Sequence, residues 1–347
     1  MPLGHAAGRG QAGEHETTTI GPQMNTTAVL TDDEVGILLA AAVQAPSIHN
    51  TQPWRFEVQG PVIDVLLDEE RTLAVADPVG RAARIGIGAA VFNLRVAAGM
   101  LGHESRGVPN PDPMLPQVAA RLFLAARTSP VPDLSRLYGE VGRRHTYRGP
   151  LLSRSVPPNV LHKLDEAAHA EGADLHWLGP AEVTELGSML RRADSDDLHD
   201  EDRLHERLQW IGGDRPADGI PANALGPLPA RHSLVRDLSA GFDSAQRSRA
   251  VYEPDPTIAV LCTPDEDTAA WVRAGLALQR VLLVATTYDL AASFLNQVIE
   301  RTEPRYQLRD LIGDHSWPQM VIRIGYPAQP AGRTHRRDWR ESFDQWF

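Results

Sequence analysis

Apolar residues repeat at helical spacing near the start of the chain and in two long stretches further on. Residues 31–34 read TDDE, a Thr followed three places later by Glu, and apolar residues stand at positions 35, 38, 39, 42 and 43. That pattern predicts a capped helix that ends before Pro46. Residues 81–101 and 269–288 are small or apolar on nearly every face, which predicts two buried helices.

Shorter apolar runs between these helices predict strands. They are RFEVQ (55–59), VIDVLL (62–67), AARLFLAA (119–126), ADLHWL (173–178), TIAVLC (257–262) and MVIRIGYP (320–327). Residues 194–240 are charged at first and rich in Gly and Pro later, which predicts a loop with broken helix. The alternation predicts an α+β fold, an α/β sandwich in which helices pack against sheets and against each other.

The two halves of the chain show a similar order. The segment GAAVFNLRVAAGMLGHES at 88–105 aligns with GLALQRVLLVATTYDLAAS at 275–293, with Gly on Gly and small or apolar residues largely in step. Two buried helices share composition by chance, so this match alone is weak.

Composition excludes several classes of protein. A formal charge of -11, from 34 basic and 45 acidic residues, opposes binding to a polyanion such as nucleic acid. The single cysteine, Cys262, lies in an apolar run and predicts a buried side chain without a disulfide partner in the chain. Residues 1–24 resemble a disordered extension without the apolar centre of a signal peptide, and no uninterrupted apolar run approaches the ~20 residues of a membrane span. These features predict a cytoplasmic globular protein.

Four fragments carry a family resemblance. APSIHNTQPWRF (45–56) resembles the APSxxNxQPWxF signature of the flavin-dependent nitroreductases, and RHTYR (144–148) is similar to the R-x-[ST]-x-[RK] stretch that begins members of that family. The helix at 88–102 is similar to the family's central helix, and IGYP (324–327) to its closing strand. The first match is specific because the seven fixed letters of APSxxNxQPW agree, and the order and spacing of all four give the others weight.

The resemblance implies a particular assembly. Family members are ordinarily homodimers with two FMN sites, each taking its Arg-rich opening and closing strand from one subunit and its Pro-Ser loop from the other. Here the first half has the Pro-Ser loop without the Arg motif, and the second half has the reverse. The resemblance therefore implies, after the extension at 1–24, two nitroreductase-like repeats at 25–135 and 136–347. They would form a pseudo-dimer with one composite FMN site, as in the single-chain Acg-like branch.

The same resemblance implies the binding residues. The FMN phosphate calls for guanidinium groups and main-chain amide donors. The residues expected to meet it are Arg144, His145, Thr146 and Arg148, joined by Arg336 or Arg337. The residues expected at the flavin ring are Pro46, Ser47, Ile48 and Asn50, with Ser293 and Gly325 from the second half. Any one of these arginines could instead be a solvated surface charge.

No catalytic residue and no metal site are predicted. Hydride transfer through a flavin needs no protein nucleophile, because the cofactor makes and breaks the bonds. The histidines at 162, 169 and 176, and those at 199 and 205, are better explained as polar helix faces than as metal ligands.

Two functions remain open at this point. The first is an oxidoreductase that passes hydride from NAD(P)H through FMN to a nitroaromatic or quinone-like acceptor. The second is an FMN storage protein in which the Gly/Pro-rich segment 211–230 covers the flavin as a lid. A scaffold that has lost flavin would be colourless. The acceptor, the preferred nicotinamide and the choice between monomer and homodimer are left open.

Overall fold

A computed structural model describes residues 29–126, 129–231, 233–241, 247–313 and 315–344 of the chain. The extension predicted at 1–24 lies outside the described residues. The described chain forms two α+β halves, each with an antiparallel sheet and a long buried helix.

The first half contains the capped helix, one long helix and four strands. In order these are α1 Asp32–Ala42, β1 Trp54–Gln59, β2 Val62–Leu67, α2 Arg81–Leu101, β3 Ser105–Pro109 and β4 Val118–Leu124. The predicted capping box is present, since Glu34 and Thr31 exchange hydrogen bonds across the first turn of α1. The inward face of α1, on which Leu38 and Leu39 are wholly buried, packs on α2.

The second half repeats this plan with insertions. Two one-turn helices, α3 Pro132–Ser135 and α4 Tyr138–Val141, lead into it. The elements that follow are α5 Pro158–His169, β5 Asp174–Trp177, α6 Pro180–Leu198, α7 Glu201–Trp210, β6 Leu228–Pro229, β7 Arg249–Ala250, β8 Thr257–Thr263, α8 Thr268–Thr287, β9 Ala291–Phe294, α9 Thr302–Leu311, β10 Trp317–Gly325 and β11 Phe343–Asp344. The predicted repeat boundary at 135/136 falls between α3 and α4, which both pack on α2.

The two main sheets have the same strand order. The first is β1-β2-β4-β3 and the second is β5-β8-β10-β9, and every neighbouring pair within these two sets is antiparallel. The strands correspond one to one along the chain, because each long helix lies between the second and third strand of its sheet. The α+β prediction with two similar halves is confirmed.

The long helices α2 and α8 cross at two glycines. A Cβ on Gly88 would lie 2.0 Å from the carbonyl oxygen of Val272, and a Cβ on Gly275 would lie 2.0 Å from the carbonyl oxygen of Ile85. The two contacts are reciprocal: the glycine of each helix faces a backbone carbonyl three residues before the glycine of the other helix. This is the arrangement expected for a two-fold symmetric dimer, here formed within one chain. Both helices are long and apolar enough to cross a membrane, but 78% and 67% of their apolar windows are buried in the protein. Their apolar character therefore serves the core.

The end of the chain returns to the first half. After β10 the chain runs across the molecule, and β11 pairs in parallel with β1 through Phe56 and Phe343. Each half therefore covers part of the other. The sequence predictions missed the edge strands β3 and β9, while α7 and the loops after it agree with the broken helix predicted over 194–240.

Candidate functional site

A cavity of about 130 Å³ lies between the two halves. Its walls come from the Pro-Ser loop, the first turns of α2, the segment after α4, the strand β9 and the segment after α7. The lining residues used below are Pro46, Ser47, Ile48, His49, Gly86, Thr146, Arg148, Ile220, Val235, Arg236, Leu238 and Ser293. Sequence positions almost 250 apart thus meet in one crevice.

The Pro-Ser loop is held in a left-handed backbone conformation. His49, Asn50 and Gln52 have φ values of 45°, 59° and 55°, which residues other than Gly rarely adopt. A hydrogen bond within the loop stabilises this turn, because the backbone amide of Gln52 donates to the Ser47 hydroxyl oxygen at 2.9 Å. It also approaches α2 closely at Gly86, where a Cβ would lie 3.3 Å from that of Ser47.

The amide side chains of the loop hold two distant segments. Asn50 Nδ2 donates to the carbonyl oxygens of Gly219 and His335, at 3.0 and 2.9 Å. Gln52 Nε2 donates to the Ala217 carbonyl at 2.8 Å, and its Oε1 accepts from the Arg337 amide at 3.0 Å. The loop therefore fastens both the Gly/Pro-rich segment 211–230 and the segment near 335–337. Asn50 Oδ1 is buried and has no hydrogen-bond partner within the described parts of the chain.

Three arginines beside the cavity, the buried Arg144 and the partly buried Arg148 and Arg336, have no carboxylate partner among the described residues. Arg144 and Arg336 both donate to the Gln44 carbonyl oxygen, at 3.0 and 3.5 Å, and Arg148 donates to the Ala224 carbonyl at 3.2 Å. The Nε atoms of Arg144 and Arg336 are buried and unpartnered. Since buried cations are usually paired, this cluster is left with unused donors and uncompensated charge.

The electrostatics of the cluster reflect that excess charge. Burial lowers the pKa of Arg148 to about 10, and burial together with repulsion from Arg333 and Arg148 lowers the pKa of Arg144 to about 10. Burial and repulsion from Arg144 and Arg148 lower the pKa of Arg336 to about 9. All three stay protonated at neutral pH, so the site is strongly cationic and favours an anion.

Of the residues predicted for the cofactor, six line the cavity. They are Pro46, Ser47, Ile48, Thr146, Arg148 and Ser293. Asn50, Arg144 and Arg336 are not among the lining residues: Asn50 lies within the Pro-Ser loop, and Arg144 and Arg336 donate to the Gln44 carbonyl at the start of that loop. Arg144 also lines the separate groove that contains His145.

Three predicted residues lie elsewhere. His145 faces a separate groove, where its Nδ1 lies 3.1 Å from the Arg143 carbonyl oxygen. Gly325 ends β10 beneath Leu151, whose Cδ1 would be 2.8 Å from an added Cβ. Of the alternatives Arg336 and Arg337, the structure brings Arg336 to the cluster, while the guanidinium of Arg337 pairs with Glu341.

His49 is the clearest residue that sequence reasoning missed. Its ring lines the cavity, and burial together with Arg236, Arg207 and Arg148 lowers its pKa to about 3, so the imidazole is neutral at pH 7. The signal for it was its place inside the Pro-Ser motif. Ile220, from the predicted lid, gave no comparable signal.

The described residues offer no cluster of side chains suited to binding a metal ion. Within the described parts of the chain, no group of three His, Cys, Asp or Glu side chains is arranged to hold a metal ion. Cys262 is buried, and burial raises the pKa of its thiol to about 12. The unpaired cations around the cavity are therefore its main chemical feature.

Comparison with known proteins identifies relatives that match this chain over most of their length. No family model matches the chain. The Mycobacterium tuberculosis protein named "Putative NAD(P)H nitroreductase Rv3131" is 29% identical over 325 residues, covering 92% of this chain and 93% of the relative. A second protein from the same organism, named with the same activity and the symbol acg, is 28% identical over 324 residues, covering 91% and 96%.

Among solved structures, a Bacteroides fragilis nitroreductase with bound FMN covers 58% of this chain and 94% of its own, at 16% identity and a TM-score of 0.38. That score is too low to support an inference about this chain. The full-length relatives confirm the resemblance drawn from the sequence motifs.

Proposed function

We propose that this chain, which is similar over nearly its whole length to the relatives named NAD(P)H nitroreductase, is a cytoplasmic FMN-dependent oxidoreductase of the Acg-like kind. It would pass hydride from NAD(P)H to a nitroaromatic or quinone-like acceptor. The site would hold one FMN between the two halves of a single chain.

The observation that carries this proposal is the unpaired cationic cluster beside a shared cavity. The FMN phosphate bears nearly two negative charges, and Arg144, Arg148 and Arg336 offer guanidinium donors without competing carboxylates. The unpartnered Nε atoms of Arg144 and Arg336 fit a group that supplies acceptor oxygens. Thr146, on the cavity wall, adds a hydroxyl donor. These residues thus fit the phosphate end of FMN.

The other cavity walls fit a flat aromatic ring. Bound FMN would supply the hydride chemistry itself. Pro46, Ser47 and Ile48 form one wall, and Val235 and Leu238 add apolar surface to the lining. No side chain is assigned as a catalytic acid or base. The neutral His49 could hydrogen-bond a ligand without adding a charge.

The symmetry-related position in the other half is closed, which supports one FMN per chain. With Gly88 matched to Gly275, the position of Gly86 corresponds to Arg273. The chain between α1 and β1 spans residues 43–53, but only residues 170–173 join α5 to β5. In that short connection Gly172 packs on Arg273, whose Cδ would lie 3.1 Å from an added Cβ. A side chain therefore occupies the space that the Pro-Ser loop uses at the composite site.

Flavin storage is the second candidate, and the anchoring of the lid favours it. Besides the bonds from the Pro-Ser loop, Arg71 pairs with Asp218 at 2.5 Å. The carboxylate of Glu206 on α7, the helix that leads into the lid, accepts from the backbone amides of Val75 and Ala76, at 2.9 and 2.8 Å. A segment fastened at so many points would restrict access of NAD(P)H to the flavin.

Anaerobic addition of NADPH or NADH to the FMN-loaded protein separates the two functions. Rapid bleaching of the flavin supports the oxidoreductase, and an unchanged spectrum that dithionite then bleaches supports storage. The flavin absorbance of the loaded chain should correspond to one FMN per polypeptide. A purified protein that neither contains nor takes up FMN would refute both functions.

A further inference from the structure

A buried ion pair lies behind the cavity wall that contains Ser293. Arg323, in the middle of β10, and Glu253, just before β8, have side chains only 1% and 5% exposed. Arg323 Nε and Nη2 donate to the two carboxylate oxygens of Glu253, at 2.5 and 2.6 Å. The pair is therefore a bidentate one, the geometry that fixes a guanidinium most firmly.

The remaining donors of Arg323 are directed towards the site. Arg323 and Ser293 lie opposite each other on the antiparallel pair β9 and β10, which brings their side chains together. Arg323 Nη1 donates to the Ser293 hydroxyl oxygen at 3.1 Å and to the Gly149 carbonyl at 3.2 Å. Glu253 also accepts from the Leu151 amide at 2.9 Å. The pair thus holds both β9 and the chain that follows the Arg motif.

This contact fixes the role of the Ser293 hydroxyl. A guanidinium can only donate, so the Ser293 oxygen must be the acceptor and its own proton must point elsewhere. Among the described residues none accepts that proton, and Ser293 lines the cavity. A ligand in the cavity could therefore accept that proton.

We infer that Arg323 is a positioning residue that makes Ser293 a hydrogen-bond donor to the ring of the bound flavin. The inference rests on the proposed FMN site. A fixed donor at the ring stabilises the negative charge that builds up on reduction, and so raises the reduction potential. Glu253 serves this role by holding the guanidinium in its orientation.

The test is the midpoint potential of bound FMN in matched variants. R323M/E253Q removes one positive and one negative charge together, so the net charge near the flavin is unchanged. We expect a more negative potential and a shifted flavin absorbance spectrum in this variant. S293A should cause a similar change, and the triple variant R323M/E253Q/S293A should show no further shift. R121M/D64N removes a partly exposed bidentate pair between β2 and β4 in the first sheet, and should leave the potential unchanged.

Several outcomes would overturn the positioning role. They are an unaltered potential in FMN-loaded S293A, an unaltered potential in R323M/E253Q, or shifts that simply add in the triple variant. If R323M/E253Q does not fold, S293A alone decides, since loss of one hydroxyl leaves the ion pair intact. Failure of the wild-type protein to retain FMN would instead refute the proposed function, and the inference with it.

Discussion

Replacing Arg144 with Met tests whether the unpaired cations beside the cavity bind an anion. The Met side chain keeps much of the length and apolar contact of Arg but removes the charge. Arg144 is 7% exposed, and the one hydrogen bond that its side chain makes within the described residues goes to the Gln44 carbonyl oxygen. The substitution therefore changes mainly electrostatics.

The structure sets opposite expectations for the two forms of the protein. Burial and neighbouring arginines lower the pKa of Arg144 from 12.5 to about 10, which corresponds to an electrostatic cost on the order of 3 kcal/mol in the FMN-free protein. Removing the charge should relieve this electrostatic cost, but the lost hydrogen bond to Gln44 and the imperfect packing of Met offset part of the stabilisation. We expect Arg144→Met to stabilise the FMN-free protein by about 1 kcal/mol, or a few degrees in thermal midpoint.

FMN affinity should move the other way. A charge-assisted hydrogen bond to phosphate contributes roughly 1.5–3 kcal/mol, so the dissociation constant should rise about 10- to 150-fold. Thermal unfolding of FMN-free protein and fluorescence titration with FMN measure the two effects separately. The double substitution of Arg144 and Arg148 should weaken binding further.

Arg143→Met is the matched control. Arg143 is the preceding residue, but its side chain is 54% exposed and pairs with Glu140 and Asp289, each at 2.8 Å. Its removal should leave FMN affinity unchanged. An Arg144→Met protein that is less stable without FMN and still binds FMN with wild-type affinity would refute the phosphate assignment.

Three further substitutions test the fold, the lid and the cavity. Gly88→Ala should destabilise the protein by about 3 kcal/mol, because its Cβ would meet the Val272 carbonyl, whereas Gly139→Ala has open space and should be neutral or slightly stabilising in the same thermal assay. Asn50→Ala removes a hydrogen bond to the lid, so limited proteolysis should cut the 211–230 segment faster and NADPH should reduce the flavin faster. If neither rate changes, Asn50 does not hold the lid. The pKa of His49 is lowered to about 3, so the unfolded chain takes up the proton first, near pH 6.5, and stability falls as the pH drops from there towards 3. His49→Gln should therefore show a smaller loss of thermal midpoint between pH 7 and pH 5, and an equal loss would argue against a buried neutral imidazole.

Local sequence patterns were enough to predict much of the fold. The capped first helix, the two long buried helices and the central strands were all readable, because each depends on residues close together in the chain. The edge strands β3 and β9 were missed. The five residues of β3 are largely polar or small, and the four of β9 are too few for a periodic pattern. Their identity as strands depends on pairing with β4 and β10.

The candidate site shows the same division at the level of single residues. Motif spacing was enough to single out Arg144 and Arg148 and the Pro-Ser loop. It could not choose between Arg336 and Arg337, because adjacent side chains on an irregular segment point in different directions. Nor could it show that the Asn50 amide binds the lid and the segment near 335–337, since those partners lie 169 and 285 positions away.

The sequence by itself determined the type of each half, the family resemblance and the residue types suited to FMN, because these are written in short-range pattern. Only the tertiary structure decided which charges remain unpaired. Whether a buried arginine is neutralised depends on carboxylates brought near it from anywhere in the chain, and three of the candidate arginines have none among the described residues. Arg323 paired with Glu253 became a structural support, while Arg144, Arg148 and Arg336 were left with charge available for a ligand.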